Sequence, residues 1–288
     1  MGRDRRVTVR GRAAHALLTS LGVAVVRAED ISPLRSAHAR KRCYRVDLAD
    51  GRTVKLRRSS SAAAARRYAD LVAALQDVRL AGVLALRGDL TLEEWITGEA
   101  IQDGDVSTAE VEWGGELLRA LHATRRIGST SLPPMVSTRA VRSRLEADLR
   151  TVLAMGAIPK RAGARLRAAA ARHDPGAATT GVLHTDLCPE NLVRGPCGVI
   201  RVIDNEGMQI GPTGFDLARV WYRWPMSEAR WRRFLAAYRR QLDPAPALAH
   251  FPFWQIAAIL QSARLRLTRR TAHADLPVQA LLTLATRL

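Results

Sequence analysis

The sequence predicts an α+β fold in two lobes, a small strand-rich lobe over residues 1–96 and a larger, mainly helical lobe over residues 97–288. Two observations favour this fold. The N-terminal third alternates apolar and polar residues around a turn, and one helical pattern follows at residues 62–78. Beyond Gly98, apolar residues recur at helical spacing over several long stretches.

A hairpin is the clearest local pattern of the first lobe. Residues 43–57 alternate around Asp50-Gly51, a dipeptide that favours a tight hairpin turn. Lys55 and Arg57 share one face of the second strand. Lys55 is one of only three lysines among 45 basic residues, so a lysine here is an exception to the chain's use of arginine. A compact ammonium suits a phosphate contact, and the alternative interpretation is a solvated strand lysine.

Five helical patterns organise the second lobe, with Pro-containing breaks between some of them. They lie at residues 108–123, 138–155, 160–173, 226–241 and 253–269. The stretch at residues 162–172 consists largely of Ala and Arg, so we expect a solvated helix there.

A loop in the middle of the chain sets polar residues at fixed spacing. An apolar run at residues 181–183 leads into His184 and Asp186. Pro189 disfavours a helix at this point, and Asn191 stands five residues after Asp186. A carboxylate that accepts a hydroxyl proton and an oxygen ligand for Mg²⁺ are parts that phosphoryl transfer requires.

A short hairpin follows this loop. Gly195, Pro196 and Gly198 supply its turn, and residues 199–203, of which all but Arg201 are β-branched, return the chain to Asp204. We therefore expect a second carboxylate beside the loop.

These motifs resemble those of the aminoglycoside phosphotransferase and choline kinase-like family, the small-molecule branch of the protein kinase fold. The family's His-x-Asp-x4-Asn pattern, followed by a hairpin and Ile-Asp, is matched by His184, Asp186, Asn191 and Asp204. The resemblance spans roughly residues 40–220. It implies an ATP- or GTP-dependent kinase with Asp186 as the catalytic residue and Mg²⁺ held by Asn191 and Asp204.

The same resemblance assigns the nucleotide to the first lobe and the acceptor to the second. It implies that Lys55 orients the α and β phosphates. Residues 92–98 resemble the family's interlobe hinge, where Glu94, Trp95 and Ile96 offer backbone groups to the base in a cleft between the lobes. Trp95 as an ordinary core residue is the alternative interpretation.

Four further residues are expected to support the site. His184 orients the loop, and Asp216, within residues 211–218, steadies it, as the family's residues do. Glu206 stands two residues beyond Asp204 and is a candidate contact for a metal or the acceptor. The helix after the hairpin offers Asp70 and Asp77 in place of the Glu that kinases pair with the strand lysine.

Two departures from the family leave a binding-only pseudokinase as an alternative. The loop at residues 36–42 contains no glycine to cover phosphates, and the first helix contains no Glu to pair with Lys55. The intact Asp186, Asn191 and Asp204 favour an active enzyme.

The formal net charge of +18 bears on the acceptor. Carboxylates normally bind polycationic aminoglycosides, so this balance disfavours them. Residues 217–288 contain three acids and many arginines, which favours a neutral or anionic sugar, nucleoside-type acceptor or antibiotic. An arginine bias throughout the chain is the alternative explanation.

A basic nucleic-acid-binding protein or an RNA kinase is the competing interpretation. The arginines of residues 3–12 and 35–42 support it, whereas no recognised nucleic-acid module appears. No run approaches the length of a membrane helix, and three cysteines lack paired metal spacing, so a cytoplasmic location is expected. The sequence does not indicate an oligomeric state.

Overall fold

A computed structural model describes residues 12–32, 42–75, 78–102, 105–124, 126–127, 130–131, 136–224, 226–269, 271 and 273–288. Most of the glycine-free loop and Asp77 lie outside these residues. The chain divides into two compact units. Unit 1 is formed by Met1–Ala100 with Leu192–Glu206, and unit 2 by Ile101–Asn191 with Gly207–Leu288. The boundary expected from the sequence lies between residues 96 and 97, with Leu192–Glu206 in the second lobe, whereas unit 1 extends to Ala100 and includes that segment.

Unit 1 is built on an antiparallel sheet of five strands in the order β1-β2-β3-β5-β4. Gly51, with a φ of 84°, makes the turn of the predicted hairpin. The elements are α1 (Arg12–Thr19), β1 (Val25–Asp30), β2 (Arg42–Leu48), β3 (Thr53–Arg58), α2 (Ala62–Ala74), β4 (Val83–Arg87) and β5 (Leu90–Glu94).

The core of unit 1 follows the predicted alternation. Val54 and Leu56 are buried on one face of β3, where they join Leu92 of β5 and Leu17 and Leu18 of α1 in one cluster. The opposite face of β3 is therefore left for Lys55 and Arg57.

A second small sheet belongs to unit 1. It has the order β11-β10-β6, formed by β6 (Glu99–Ala100), β10 (Leu192–Arg194) and β11 (Ile200–Val202). Arg201 fixes it to the first sheet, because its guanidinium donates to both carboxylate oxygens of Glu94 at 2.7 and 2.6 Å and to the Leu80 carbonyl at 2.6 Å. This hairpin ends two residues before Asp204.

Unit 2 is mainly helical. Its helices are α3 (Thr108–Ala123), α4 (Thr138–Ala154), α5 (Lys160–Arg172), α6 (Thr213–Arg223), α7 (Glu228–Arg239), α8 (Ala245–Leu248), α9 (Phe251–Arg269) and α10 (Asp275–Arg287). Its strands are β7 (Arg126–Ile127), β8 (Thr130–Ser131), β9 (Thr180–Leu183) and β12 (Gln209–Pro212). The mixed α+β fold predicted from the sequence is confirmed.

Helix α9 lies at the centre of the unit 2 core and packs on α4, α5, α6 and α10. Trp254, Ile256 and Leu260 of α9 are almost completely buried. Residues 162–172 form the expected helix, and its arginines are exposed, but its other face is buried, because Leu166 and Ala169 of α5 belong to the same core. Small residues on this face of α5 let it approach the core closely.

Two short strands place the loop that contains Asp186. β9 pairs antiparallel with β12, and β12 leads directly into α6. A Cβ on Gly181 of β9 would overlap the backbone of His122, so the missing side chain lets β9 lie against the end of α3. No helix among the described residues is both long and apolar enough to cross a membrane.

Candidate active site

The loop after β9 is held by one carboxylate. The N–H groups of His184 and Thr185 donate to the two oxygens of Asp216, at 2.7 and 2.8 Å. Thr185 has a φ of 71°, a conformation that costs energy for a β-branched residue and that these hydrogen bonds stabilise. Asp216 therefore fixes the backbone just before Asp186.

Asp216 belongs to a fully buried polar network. His122 Nε2 lies 3.3 Å from Asp216 Oδ2, and His122 Nδ1 lies 2.8 Å from the Tyr238 hydroxyl. Burial opposes the charge of Asp216, but His122, His184 and the backbone N–H of His184 outweigh it and hold the pKa of this carboxyl below its usual range. An ionised carboxylate only accepts, so His122 Nε2 carries the hydrogen.

His122 and Tyr238 were not among the predicted site residues. His122 is inaccessible to solvent, and both of its ring nitrogens have hydrogen-bond partners. The sequence alone does not show that His122, at the end of α3, lies beside Gly181 and the loop; only the folded structure shows this.

Asp186 is fixed through its backbone and one side-chain oxygen. Its N–H donates to His184 Nδ1 at 3.3 Å, and its carbonyl accepts from Asn191 Nδ2 at 2.8 Å. Arg223 Nε and Arg219 Nη2 lie 3.0 and 3.4 Å from its Oδ1. Within the described chain Oδ2 has no hydrogen-bond partner, so Asp186 keeps one oxygen available for a proton.

The two arginines were not among the predicted site residues. Asp216, Arg219 and Arg223 stand at positions i, i+3 and i+7 of α6, which places them on one face of that helix. In a helix, this spacing indicates that the three residues lie together, but the sequence analysis did not predict a helix at residues 213–223.

Asn191 and Asp204 suit a hard cation by their chemistry. The side-chain amide nitrogen of Asn191 donates a hydrogen bond to the Asp186 carbonyl, so the side-chain oxygen of Asn191 remains available to bind a cation. Asp204 follows β11 at a φ of 56°, and its side chain is 55% exposed. The described residues contain no group of three or more His, Cys, Asp or Glu side chains that would hold a metal alone. Mg²⁺ is usually bound by one or two protein oxygens and completed by substrate phosphates, and each of these two side chains offers an oxygen of the type that it binds.

Lys55 is paired with Asp204 within unit 1. Lys55 Nζ lies 3.2 Å from Asp204 Oδ1, and the lysine side chain is only 14% exposed. Burial lowers the pKa of Lys55, but the surrounding negative groups outweigh it and raise the pKa above its ordinary value. They include Glu93, Glu206 and Asp204; Cys43, whose own pKa is about 12, is neutral at pH 7. Glu206 thus contributes to the field around Lys55.

The expected pairing of Lys55 with Asp70 is not found: no ion pair joins them in the described part of the chain, and Asp70 is exposed. Instead, Glu93 of β5 lies directly opposite Lys55 in the sheet register. Glu93 is buried and accepts hydrogen bonds from Arg57 at 2.6 Å and Thr91 at 2.7 Å. Glu93 thus adds a buried carboxylate from a strand beside Lys55, whereas the candidates predicted from the sequence lie on the helix.

The predicted hinge residues follow β5. The Glu94 carboxylate is occupied by Arg201 and the Gly82 N–H. The Arg45 guanidinium lies 5.2 Å from the Trp95 ring centroid, so the ring is packed against a cation. Among the described residues, the peptide groups of Trp95 and Ile96 have no backbone hydrogen-bond partner. Polar backbone groups are therefore available there.

The model of the phosphotransferase enzyme family matches residues 30–254 of the chain. No curated protein matches it.

Solved structures share the fold at low sequence identity. Choline kinase LicA from Streptococcus pneumoniae is 12% identical, with 94% of this chain and 96% of that chain covered and a TM-score of 0.65. Macrolide 2'-phosphotransferase MphH from Brachybacterium faecium is 20% identical over 92% and 95%, with a TM-score of 0.64. Spectinomycin phosphotransferase APH(9)-Ia, solved with ADP and spectinomycin, is 12% identical over 96% and 98%, with a TM-score of 0.64. The match over most of the chain, together with the loop and its supporting carboxylate, shows that the protein belongs to the phosphotransferase enzyme family.

Proposed function

We propose that this phosphotransferase moves the γ-phosphoryl group of ATP or GTP to a hydroxyl group of a small molecule. The observation that carries the proposal is the state of Asp186. Its backbone is fixed on both sides and one carboxylate oxygen is held by arginines, while the other has no partner in the described structure. A positioned carboxylate with one free oxygen is suited to general-base chemistry.

In the proposed reaction, Asp186 Oδ2 accepts the proton of the acceptor hydroxyl. The hydroxyl oxygen forms a bond to the γ-phosphorus, and the bond between that phosphorus and the β,γ-bridging oxygen breaks. The nucleoside diphosphate leaves with the bonding electrons. His184, Thr185 and Asp216 hold the loop in place for this step.

The nucleotide is assigned to residues of unit 1. The Lys55 ammonium orients the α and β phosphates, and the free peptide groups of Trp95 and Ile96 bind the base. Asn191 and Asp204 are the proposed Mg²⁺ ligands. When bound, Mg²⁺ neutralises the charge of the phosphates.

A neutral or anionic acceptor fits the chain better than a polycation. The formal charge is +18, and two guanidinium groups lie at Asp186. A cationic acceptor would meet repulsion from both. The macrolide, choline and spectinomycin enzymes named above differ in their acceptors, so their names do not select one for this chain.

The test is nucleoside diphosphate release from ATP and GTP with Mg²⁺. The acceptor panel contains sugars and sugar phosphates, nucleosides, nucleoside antibiotics, macrolides, choline and aminoglycosides. We expect one neutral or anionic class to stimulate release, and Asp186→Asn to abolish the stimulation. Nucleotide binding without release for any acceptor would instead favour the binding-only pseudokinase.

The basic charge also favours a second candidate, a nucleic-acid-binding protein or an RNA kinase. Adding RNA to the same panel tests it. Salt-sensitive RNA binding without nucleotide turnover would support this candidate against the first. The three cysteines are free in the structure, which fits the proposed cytoplasmic location.

A further inference from the structure

Two arginines of α6 converge on one oxygen of Asp186. Arg219 and Arg223 are one helical turn apart, and their side chains are 16% and 24% exposed. Arg223 Nε is 3.0 Å from Asp186 Oδ1 and Arg219 Nη2 is 3.4 Å from the same atom. One arginine is sufficient to pair a carboxylate, so the second guanidinium leaves positive charge in excess at this point.

The loop at residues 184–191 adds no cation of its own, and its second acid forms no ion pair with either arginine in the described structure. Residues 184–191 contain no Lys or Arg, so cations at Asp186 come from α6. The other acid of the loop, Glu190, is exposed and has no ion pair with either arginine in the part of the chain that the structure describes. Burial lowers the pKa of Arg223, but the carboxylates of Asp186 and Glu190 outweigh that effect and raise it, so this arginine stays charged. The Cys188 thiol, whose own pKa is about 12, is neutral at pH 7.

Both guanidinium groups are held in fixed orientations. Arg219 Nη1 donates to Gln261 Oε1 of α9 at 2.8 Å, and Arg223 Nη2 lies 3.6 Å from Cys188 Sγ. Arg223 Nη1 has no partner among the described residues. A planar, preorganised fork with unused donors suits the oxygens of a phosphoryl group.

We propose that Arg219 and Arg223 form an anion-binding pair at Asp186 that takes a phosphoryl oxygen. The assignment rests on the proposed function, because that function supplies phosphoryl groups to Asp186. The phosphoryl oxygen has two sources: the group being transferred, or a phosphate on the acceptor. In the first case the pair stabilises charge that develops during transfer, and in the second it selects anionic acceptors.

Calorimetric titrations separate the two sources. MgADP with aluminium fluoride, compared with MgADP alone, reports on the transferred group. Orthophosphate added to protein saturated with a non-hydrolysable MgATP analogue reports on an acceptor phosphate. Orthophosphate added to the nucleotide-free protein reports on the pair even if the chain binds no nucleotide.

The variants are Arg223→Gln and Arg219→Gln, with Arg233→Gln as the matched control. Arg233 is an exposed arginine paired with Glu112 across α7 and α3, so its replacement makes the same change of charge elsewhere. Arg223→Lys keeps the charge and removes the fork. Thermal unfolding of each variant shows whether it has folded.

We expect Arg223→Gln to lower the affinity at least tenfold either for aluminium fluoride with MgADP or for orthophosphate on protein saturated with the MgATP analogue. The affinity for MgADP alone should not change, and neither should any affinity of the Arg233→Gln control. The titration that weakens identifies the source. Asp186→Asn should tighten the binding of orthophosphate, because it removes the carboxylate that competes for the pair; a role limited to holding Asp186 predicts no such gain.

Two results would overturn the proposal. One is equal anion affinity in the wild type, Arg223→Gln and Arg219→Gln in all three titrations. The other is an equal loss in Arg233→Gln, which would attribute the effect to overall charge. A wild-type chain that binds orthophosphate through the pair but no MgADP would support the pair and contradict the proposed kinase function.

Discussion

Asp216 is fully buried, yet it accepts hydrogen bonds from two backbone N–H groups and lies beside His122. A buried carboxylate is costly unless its charge is compensated in this way. The residue therefore links stability to the position of the loop that contains Asp186.

Replacing Asp216 by Asn should lower the free energy of unfolding by about 2–4 kcal/mol near neutral pH, since it breaks a buried charged network. The folded-state pKa of Asp216 is depressed, so its contribution is complete above the unfolded value of about 4 and is lost as the pH falls through the folded value. Urea unfolding of both proteins between pH 3 and 7 should show the difference shrinking at the acid end. A difference that does not vary with pH would contradict the assigned charge.

Lys55 offers a second test at this scale. A charge-assisted hydrogen bond contributes about 1.5–3 kcal/mol. Replacing Lys55 by Met should thus weaken the binding of MgADP roughly 10- to 100-fold. Lys160→Met is the matched control, because Lys160 is an exposed lysine at the start of α5. Equal MgADP affinities in the two variants, measured by calorimetry, would remove Lys55 from the nucleotide site.

At the level of elements, regular periodicity was sufficient to predict much of the fold. The Asp50-Gly51 hairpin and α3, α4, α5, α7 and α9 lie close to their predicted bounds. α6 was missed because Gly211, Pro212 and Gly214 around its start are typical of a turn, although its apolar residues lie on one face of the helix. Since α6 contains Asp216, Arg219 and Arg223, much of the site could not be assembled from local pattern.

Glu93 was missed for a different reason. The family pattern suggests a carboxylate on the helix after the hairpin, where Asp70 was the candidate. Glu93 comes from β5, and its position opposite Lys55 depends on the non-consecutive order β3-β5 of the sheet. Strand order depends on tertiary packing, which local spacing does not determine.

Helix packing gives a prediction at the scale of elements. A Cβ on Gly115 of α3 would overlap the Phe234 carbonyl oxygen of α7, whereas one on Gly163 of α5 would meet only the Leu153 side chain, 2.8 Å from Cδ2. Ala is favoured over Gly in a helix by about 0.5–1 kcal/mol. Overpacking against backbone costs about 1–3 kcal/mol.

Gly115→Ala should accordingly lower the thermal midpoint of the protein, and Gly163→Ala should leave it unchanged or raise it. Differential scanning calorimetry of the two variants measures this. Equal midpoints would contradict the close contact of α3 with α7.

For the whole molecule, the net charge and the order of motifs were the most informative features. The Asp50-Gly51 hairpin, the segment at residues 92–98, the loop with Asp186 and the hairpin that leads to Asp204 follow one another in the order expected of the family. The family match over residues 30–254 spans all four. The division of the chain into two units was harder to predict from the sequence. Leu192–Glu206 belongs to unit 1 although it lies far along the sequence, since β10 pairs with β6.

A comparison of the wild type with Asp186→Asn is the decisive experiment for the proposed phosphoryl transfer. Transfer of the γ-phosphoryl group to the stimulating acceptor and the affinity for MgADP are measured on the same preparations. We predict that transfer falls by about 10²–10⁴-fold, the usual contribution of a general base, while the affinity for MgADP is unchanged. Transfer at the wild-type rate in Asp186→Asn would contradict the account.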